Sequence, residues 1–565
     1  MGKIINTKTW YIALLLLFFL FSYILPLGTR DLIAPDETRY AEIPREMIAG
    51  RDWVVPHLNG VRYFEKPVLG YWVNACSILL LGENNFAVRF PSALSTGLSA
   101  LLIYVFVRRA YRRKDHGECD DFAAILASFI FLSCFEVFGV GNTALLDNLF
   151  SFFMTASISA FYFASENLPG STKEKYLLAL AGLACGLAFL TKGFVAFAIP
   201  VSSLATYLVW QRRYSDLLRM SWLPILFAIL VILPWAIAIY IREPGYWSFF
   251  VWNEHVRRFM ADNAQHKESF LYFFMIAPAA FFPWTFLSPA AVTGINELLA
   301  SHGTQDRLLK FCICWLALPF LFFSFANGKL LTYILPCFPP FAVLMSIGLL
   351  HALKKNVHNR LFQIGTAGST MLFAMLLVVF SYIQFFGFNG SRLYEQPWRA
   401  MMIINGLVFF IIFCIWALKS KRAENKTILY AVAPLIFFFV IHYAIPDLGV
   451  DTTSPRVMLQ QYEQNVGGRD IIISDEDSIR DVCWYFQSDR VYLLGEPGEL
   501  GYGLGYKDAH GRLLDRKSAV ALINQNRGRT LLFARTDNMN QWRDKLPKPV
   551  VQATDGRYRY VLLRY

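Results

Sequence analysis

The sequence predicts a polytopic α-helical membrane protein with about 13 transmembrane helices, followed by a small α/β domain outside the bilayer. Three observations predict it. Hydrophobic residues make up 56% of the 565-residue chain, aromatic residues 16% and charged residues only 17%, with a mean hydropathy of +0.40; an ordinary soluble protein does not have this balance. Apolar runs of about 17–25 residues recur, each long enough to cross a ~30 Å hydrocarbon core. The basic residues gather in a few short loops, as the positive-inside rule requires.

The first run, Trp10 to Leu27, has no small-residue cleavage site and leads into Pro26-Leu27-Gly28-Thr29-Arg30, so it is expected to stay as the first span rather than act as a signal peptide. Further spans are placed near 86–107, 122–140, 147–166, 176–190, 193–210, 221–241, 269–288, 309–326, 331–352, 361–386, 400–418 and 427–446. Five basic clusters lie between them: Arg108, Arg109, Arg112, Arg113 and Lys114; Lys173 and Lys175; Arg212, Arg213 and Arg219; Lys354, Lys355 and Arg360; and Lys419, Lys421, Arg422 and Lys426. With this span count all five clusters, and the N-terminal Lys3 and Lys8, share the inner side; one span more or fewer would break the agreement. The outer side then receives 28–85, 141–146, 191–192, 242–268, 327–330 and everything after 447, and in a didermal bacterium it is the periplasm. The net charge of +12 is thereby explained by loop cations, and no nucleic-acid partner is expected. The nine cysteines lie mostly within apolar runs and show no CxxC spacing, so no disulfide framework is expected.

After Pro446 the composition changes. Segments 470–474, 490–494, 530–534 and 558–563 read as short strands, and 477–486 and 518–526 as helices, an alternation that suggests an α/β domain. The domains are therefore drawn at 1–446 and 447–565. Gly501-Tyr502-Gly503-Leu504-Gly505-Tyr506 lacks GxGxxG spacing and reads as a flexible loop rather than a phosphate loop.

The outer loops carry the chemistry. Pro35-Asp36-Glu37 is a fair helix start, so Asp36 and Glu37 serve either as capping residues or as reactive carboxylates. Arg39, Glu42, Arg45 and Glu46 follow at near-helical spacing, which suggests a charged amphipathic helix lying on the membrane. Asp147 stands at the outer end of a span, where a carboxylate is costly unless paired or wet, although a helix N-terminus also favours it. Lys66, Lys192, Arg257, Arg258 and Lys329 are outer-side cations that the positive-inside rule does not explain. Each either snorkels or contacts phosphate, and as a set they suit a polyanionic lipid head group. Glu65, Glu254, His255 and His266 offer zinc-type ligands without tight HxxxH spacing. Tyr333 is either an interface tyrosine or a phosphate donor.

These residues carry a resemblance. Pro35-Asp36-Glu37-Thr38-Arg39-Tyr40-Ala41-Glu42-Ile43, Tyr63-Phe64-Glu65-Lys66-Pro67, Gly70-Tyr71-Trp72-Val73-Asn74, Asn85-Phe86-Ala87-Val88-Arg89, Thr191-Lys192-Gly193-Phe194, Glu254-His255-Val256-Arg257-Arg258-Phe259, Asp262-Asn263-Ala264-Gln265-His266, Gly328-Lys329-Leu330-Leu331-Thr332-Tyr333-Ile334-Leu335 and Gly498-Glu499-Leu500-Gly501-Tyr502-Gly503-Leu504 resemble the bacterial aminoarabinose lipid A transferases. These are undecaprenyl phosphate-4-amino-4-deoxy-L-arabinose arabinosyltransferases, membrane glycosyltransferases of the GT-C fold related to protein O-mannosyltransferases. The resemblance covers nearly the whole chain. The Asp-Glu loop alone is shared with protein O-mannosyltransferase-like enzymes, whereas the tail and the Glu-Lys-Pro run are more specific. Leu331 departs from it, where proline is expected.

The resemblance implies an inverting pentosyltransferase of the bacterial inner membrane, with its active site and tail in the periplasm, and a monomer is expected. It would move 4-amino-4-deoxy-L-arabinose from undecaprenyl phosphate to lipid A phosphates, lowering their negative charge and giving resistance to polymyxin and cationic peptides. It implies Asp36 and Asp147 as active-site carboxylates, with Glu37 beside them. Lys66, one of Arg257 and Arg258, and Tyr333 would contact donor phosphate, and Arg39, Lys192 and Lys329 join them as substrate-binding candidates. Glu65 and His255 match positions that can hold zinc, the one cofactor implied. The alternative is another polyprenyl-phosphate-sugar glycosyltransferase, of the protein O-mannosyltransferase type, acting on a hydroxyl.

Overall fold

A computed structural model describes residues 7–111, 121–257, 267–301, 306–387, 392–445, 454–463, 467, 469–555 and 559–565. By Cα packing the chain forms two compact units. The first comprises Met1–Leu27, Ser92–Ile237 and Ser248–Ala444; the second comprises Gly28–Pro91, Ala238–Trp247 and Ile445–Tyr565. The first outer loop thus groups with the tail, a division that a cut at 446/447 does not capture.

The first unit is helical. Among the described residues eight helices are long and apolar enough to cross a membrane, or up to ten if each bent pair counts once. The other expected spans also have helices. Thr7–Phe19 continues through a π-type turn at Leu20–Ile24, Val195–Trp210 is short, and Leu146–Ser165 carries Asp147, Asn148, Ser151 and Thr155 on its length.

One expected span is corrected. The 269–288 segment is two helices, Tyr272–Ala280 and Ser288–Ala300, joined through a short turn at Trp284–Leu287 and bent by 95°. Pro283 stands at the break, where a proline cannot donate to the helical ladder. Asp121–Ser133 and Phe135–Gly141 bend by 67° at Cys134. The two breaks satisfy each other: the Phe135 N–H donates to the Phe282 carbonyl at 2.9 Å and the Trp284 indole N–H to Ser133 Oγ at 2.8 Å. Unpaired backbone groups at membrane depth need such partners.

Close helix contacts depend on small residues. A Cβ on Gly294 would stand 2.1 Å from the Gly348 carbonyl oxygen, and one on Gly348 would stand 2.3 Å from that of Ala291. Backbone therefore packs on backbone, as membrane helices do where side chains are small.

In the second unit the helix Asp36–Gly50 leads to a hairpin, β1 (His57–Leu58) and β2 (Val61–Arg62), and then to the helix Leu69–Leu81. The first helix is not the surface helix its charges suggested. Glu37, Glu42, Arg45 and Glu46 are all buried, because they pair inward: Arg45 donates to both Glu42 oxygens at 2.6 and 2.7 Å, and Glu46 accepts from the Gly60 N–H at 2.8 Å. It packs on Leu69–Leu81 and on the tail helix Ile479–Phe486.

The tail builds a six-stranded sheet from β3 (Ile471–Ser474), β4 (Tyr492–Leu494), β5 (Leu513–Leu514), β6 (Thr530–Arg535), β7 (Val551–Thr554) and β8 (Tyr560–Arg564), in the order β5-β4-β3-β6-β8-β7. The first four are parallel, with Ile473 opposite Tyr492 and Leu532, and β8 and β7 close the edge antiparallel. β5 and β7 are too short or too polar to stand out in the sequence. Ile473, Leu494, Leu532, Ala519, Ile523 and Trp542 form the core. The glycine segment is a short helix, Gly501–Leu504, and not a free loop; a Cβ on Gly503 would meet the Arg62 carbonyl at 2.3 Å.

Candidate active site

Two groups of predicted residues emerge, one in each unit. In the second unit the chain enters the helix Asp36–Gly50 with both carboxylates in its first turn, where the helix dipole favours negative charge. Their fates then diverge. Glu37 is 0% exposed. Arg30 donates to it at 2.7 Å, Arg89 at 2.7 and 2.8 Å, and the Ile33 N–H at 2.8 Å. A carboxylate so held organises the loop. The Asp36 side chain is 56% exposed.

Arg39 lies one turn further on. Its guanidinium stands 3.6 Å from Asp36, 4.0 Å from Glu65 and 3.2 Å from Glu499. Burial works against this charge, but Tyr63, Glu499, Tyr40 and Glu65 push its pKa well above the ordinary arginine value. Glu499 also accepts from Arg480 at 2.8 Å and from the Tyr63 hydroxyl at 3.0 Å. Burial would raise the Glu499 pKa, and Arg39 and Arg480 outweigh it, holding the carboxyl at about 2. Lys66 is half-buried and donates to the Glu65 carbonyl at 3.1 Å.

In the first unit, Asp147 occupies the first turn of Leu146–Ser165 and Lys192 the last residue of Thr172–Lys192. They pair at 2.7 Å, each at the helix end whose partial charge suits it. The ammonium also lies 5.2 Å from the Tyr333 ring centroid and 5.9 Å from that of Phe150, within cation–π range. Thus Asp147, Lys192 and Tyr333 come together as a charged pair with an aromatic wall. Asn148 beside them donates to the Val140 carbonyl at 2.7 Å and accepts from Thr96 at 3.0 Å.

Lys329 does not join them as an open cation. It is 3% exposed, and its ammonium donates to the carbonyls of Ala326 and Glu268, the latter at 2.9 Å. It closes the chain beyond the helix Asp306–Phe325.

Arg258 and His266 lie outside the described residues, as do the side chains of His255 and Arg257 on the π-type segment Phe250–Arg257. Among the described residues no three His, Cys, Asp or Glu side chains gather as metal ligands. Arg30, Tyr63, Arg89, Arg480 and Glu499 carried no expected role. Tyr63, Arg89 and Glu499 had a signal, since they lie in the Tyr63-Phe64-Glu65-Lys66-Pro67, Asn85-Phe86-Ala87-Val88-Arg89 and Gly498-Glu499-Leu500-Gly501 segments of the resemblance; Arg480 had only its place in a half-apolar helix.

Residues 8–250 match the family described as dolichyl-phosphate-mannose-protein mannosyltransferase, and residues 450–563 match the C-terminal domain of the arabinosyl transferase ArnT. Two curated relatives are similar over nearly the full length. The undecaprenyl phosphate-alpha-4-amino-4-deoxy-L-arabinose arabinosyl transferase of Shewanella sediminis is 36% identical over 96% of each chain. The protein of the same name from Aeromonas hydrophila is 39% identical over 97% of this chain and 98% of its own. Among solved structures, ArnT from Cupriavidus metallidurans bound to undecaprenyl phosphate has the same fold, with a TM-score of 0.82 over 98% of each chain at 22% identity.

Proposed function

We propose, because this chain belongs to the family of undecaprenyl phosphate-α-4-amino-4-deoxy-L-arabinose arabinosyl transferases, that it moves 4-amino-4-deoxy-L-arabinose from undecaprenyl phosphate to a lipid A phosphate. It is a membrane glycosyltransferase of the GT-C fold. The reaction belongs at the periplasmic face of the bacterial inner membrane, with the tail on the same side. It lowers lipid A negative charge and so protects against polymyxin and cationic peptides. The observation that carries the reading at the site is Asp36, an open carboxylate beside the fixed cation Arg39, on a helix whose neighbouring charges are buried and paired.

The acceptor phosphate is already anionic near neutral pH, so a strong general base is not required. One of its oxygens bonds to the anomeric carbon of the sugar as the bond from that carbon to the donor phosphate breaks, and the electron pair leaves with undecaprenyl phosphate. Attack opposite the leaving group inverts the centre. The chief demands are alignment and stabilisation of the leaving phosphate. Lys66 and an arginine of Arg257-Arg258 take the leaving phosphate, and Arg39 is a further substrate-binding candidate. Asp36 orients the sugar or acceptor and supports positive character at the anomeric carbon. Lys192 and Tyr333, in the first unit, are further substrate-binding candidates. Asp147 is already neutralised by Lys192, so the sugar amine would share that carboxylate with the lysine.

Zinc at Glu65 and His255 is the cofactor proposal, tested by metal analysis of the purified protein before and after chelation. A monomer is the proposed state.

The test is mass spectrometry of lipid A from cells that lack their own transferase and make the donor. Cells with the intact chain are expected to show an increment of one aminoarabinose, and cells with equal membrane levels of Asp36→Ala none. An unmodified lipid A with the intact chain would move the acceptor to a hydroxyl.

A further inference from the structure

Arg39 Nη2 has two carboxylates within reach. Glu499 Oε1 lies at 3.2 Å and Asp36 Oδ1 at 3.6 Å. Asp36 is three residues back on the same helix, where i and i+3 side chains are neighbours, so an unrestrained Arg39 would close on it. Glu499 is the stronger holder because it is itself fixed. Arg480, 2% exposed, donates to it at 2.8 Å and is anchored in turn on Glu476 at 2.6 Å. The Tyr63 hydroxyl adds a third bond at 3.0 Å.

The backbone is shaped to bring Glu499 there. Gly498 has φ +48°, and a Cβ on it would stand 2.4 Å from Glu476 Cγ, so only glycine lets the turn lie against Glu476. Leu500, on the other flank, is fully buried. Both Glu499 oxygens are committed to cations, one to Arg39 and one to Arg480.

We propose that Glu499 is a positioning residue of the transfer reaction: it holds the Arg39 guanidinium off Asp36, so that Asp36 meets the substrate as an open carboxylate. This rests on the transfer reading above, in which Asp36 touches substrate. It gives the soluble tail a defined role, because the residue that sets the charge state of the first-loop site is supplied by the tail. Arg480 acts with it as the anchor.

Glu499→Gln keeps the size of the side chain and removes the charge. In purified full-length enzyme with undecaprenyl-phosphate-linked aminoarabinose and lipid A, it is expected to lower kcat about tenfold or more while KM for both substrates stays within about twofold. Glu499→Asp is expected to recover most of the rate. In an Arg39→Met background the Glu499→Gln change should cost nothing further, since it acts through Arg39. A structure of Glu499→Gln by electron cryomicroscopy should show Arg39 at hydrogen-bonding distance from Asp36. Undiminished kcat, additive losses in the double variant, or an unmoved Arg39 would each overturn the proposal. If the intact chain transfers no aminoarabinose, the transfer reading fails, while the position of Arg39 in the variant still decides the positioning role.

Discussion

Single residues in this protein change meaning with their partners. Glu37 and Asp36 are adjacent and chemically alike, yet one is enclosed by Arg30 and Arg89 and the other is open. Replacing Arg89 by Ala leaves Glu37 buried with half its compensation, a loss expected to cost about 3–5 kcal/mol. Lys at 89 is not a substitute, because Arg89 reaches both Glu37 oxygens at once. Thermal melting of the purified variants checks both. Lys192→Met similarly strands Asp147 and is expected to cost about 3 kcal/mol and most of the transfer rate, measured by melting and by the lipid A assay.

Glu499 gives a pH signature. Its folded value of about 2 lies below the ordinary 4.5. A depressed carboxylate stabilises above the unfolded value, so its contribution is full above 4.5 and is lost as pH falls from 4.5 through about 2. The melting temperature of Glu499→Gln should therefore fall less steeply over that interval than that of the intact chain.

At the scale of elements, periodicity located helices but not their surroundings. Asp36–Gly50 has the charge pattern of a surface helix and is instead enclosed by Leu69–Leu81 and Ile479–Phe486. The break at Pro283 could be suspected from one residue; its pairing with the break at Cys134 could not. Asp481 shows what enclosure does to a tail helix. Burial pushes its pKa up to about 8, against a weaker pull from Arg480. Its folded value lies above the ordinary 3.8, so folding takes up a proton and stability declines as pH rises from 3.8 to about 8. Asp481→Asn should raise the melting temperature at about pH 8, and the gain should vanish as pH approaches 3.8.

At the scale of the whole molecule, the bundle relies on glycine contacts and the first-loop site on the tail. Gly348→Leu places a side chain where the Ala291 carbonyl lies and is expected to abolish stable insertion, read by membrane yield and size-exclusion profile.

The sequence by itself determined the membrane class, the helices, the α/β tail and the charged loops, because apolar length, loop charge and strand-helix alternation are local properties. It also pointed to Asp36, Arg39, Lys66, Asp147 and Lys192 through their charge in the wrong place for a connector. Only the tertiary structure decided which charges are free to act. Glu37 is enclosed because Arg89, 52 residues away in the chain, folds back onto it. Asp36 is open beside an Arg39 that Glu499 of the tail also holds. No local pattern encodes pairings between residues so far apart in the chain.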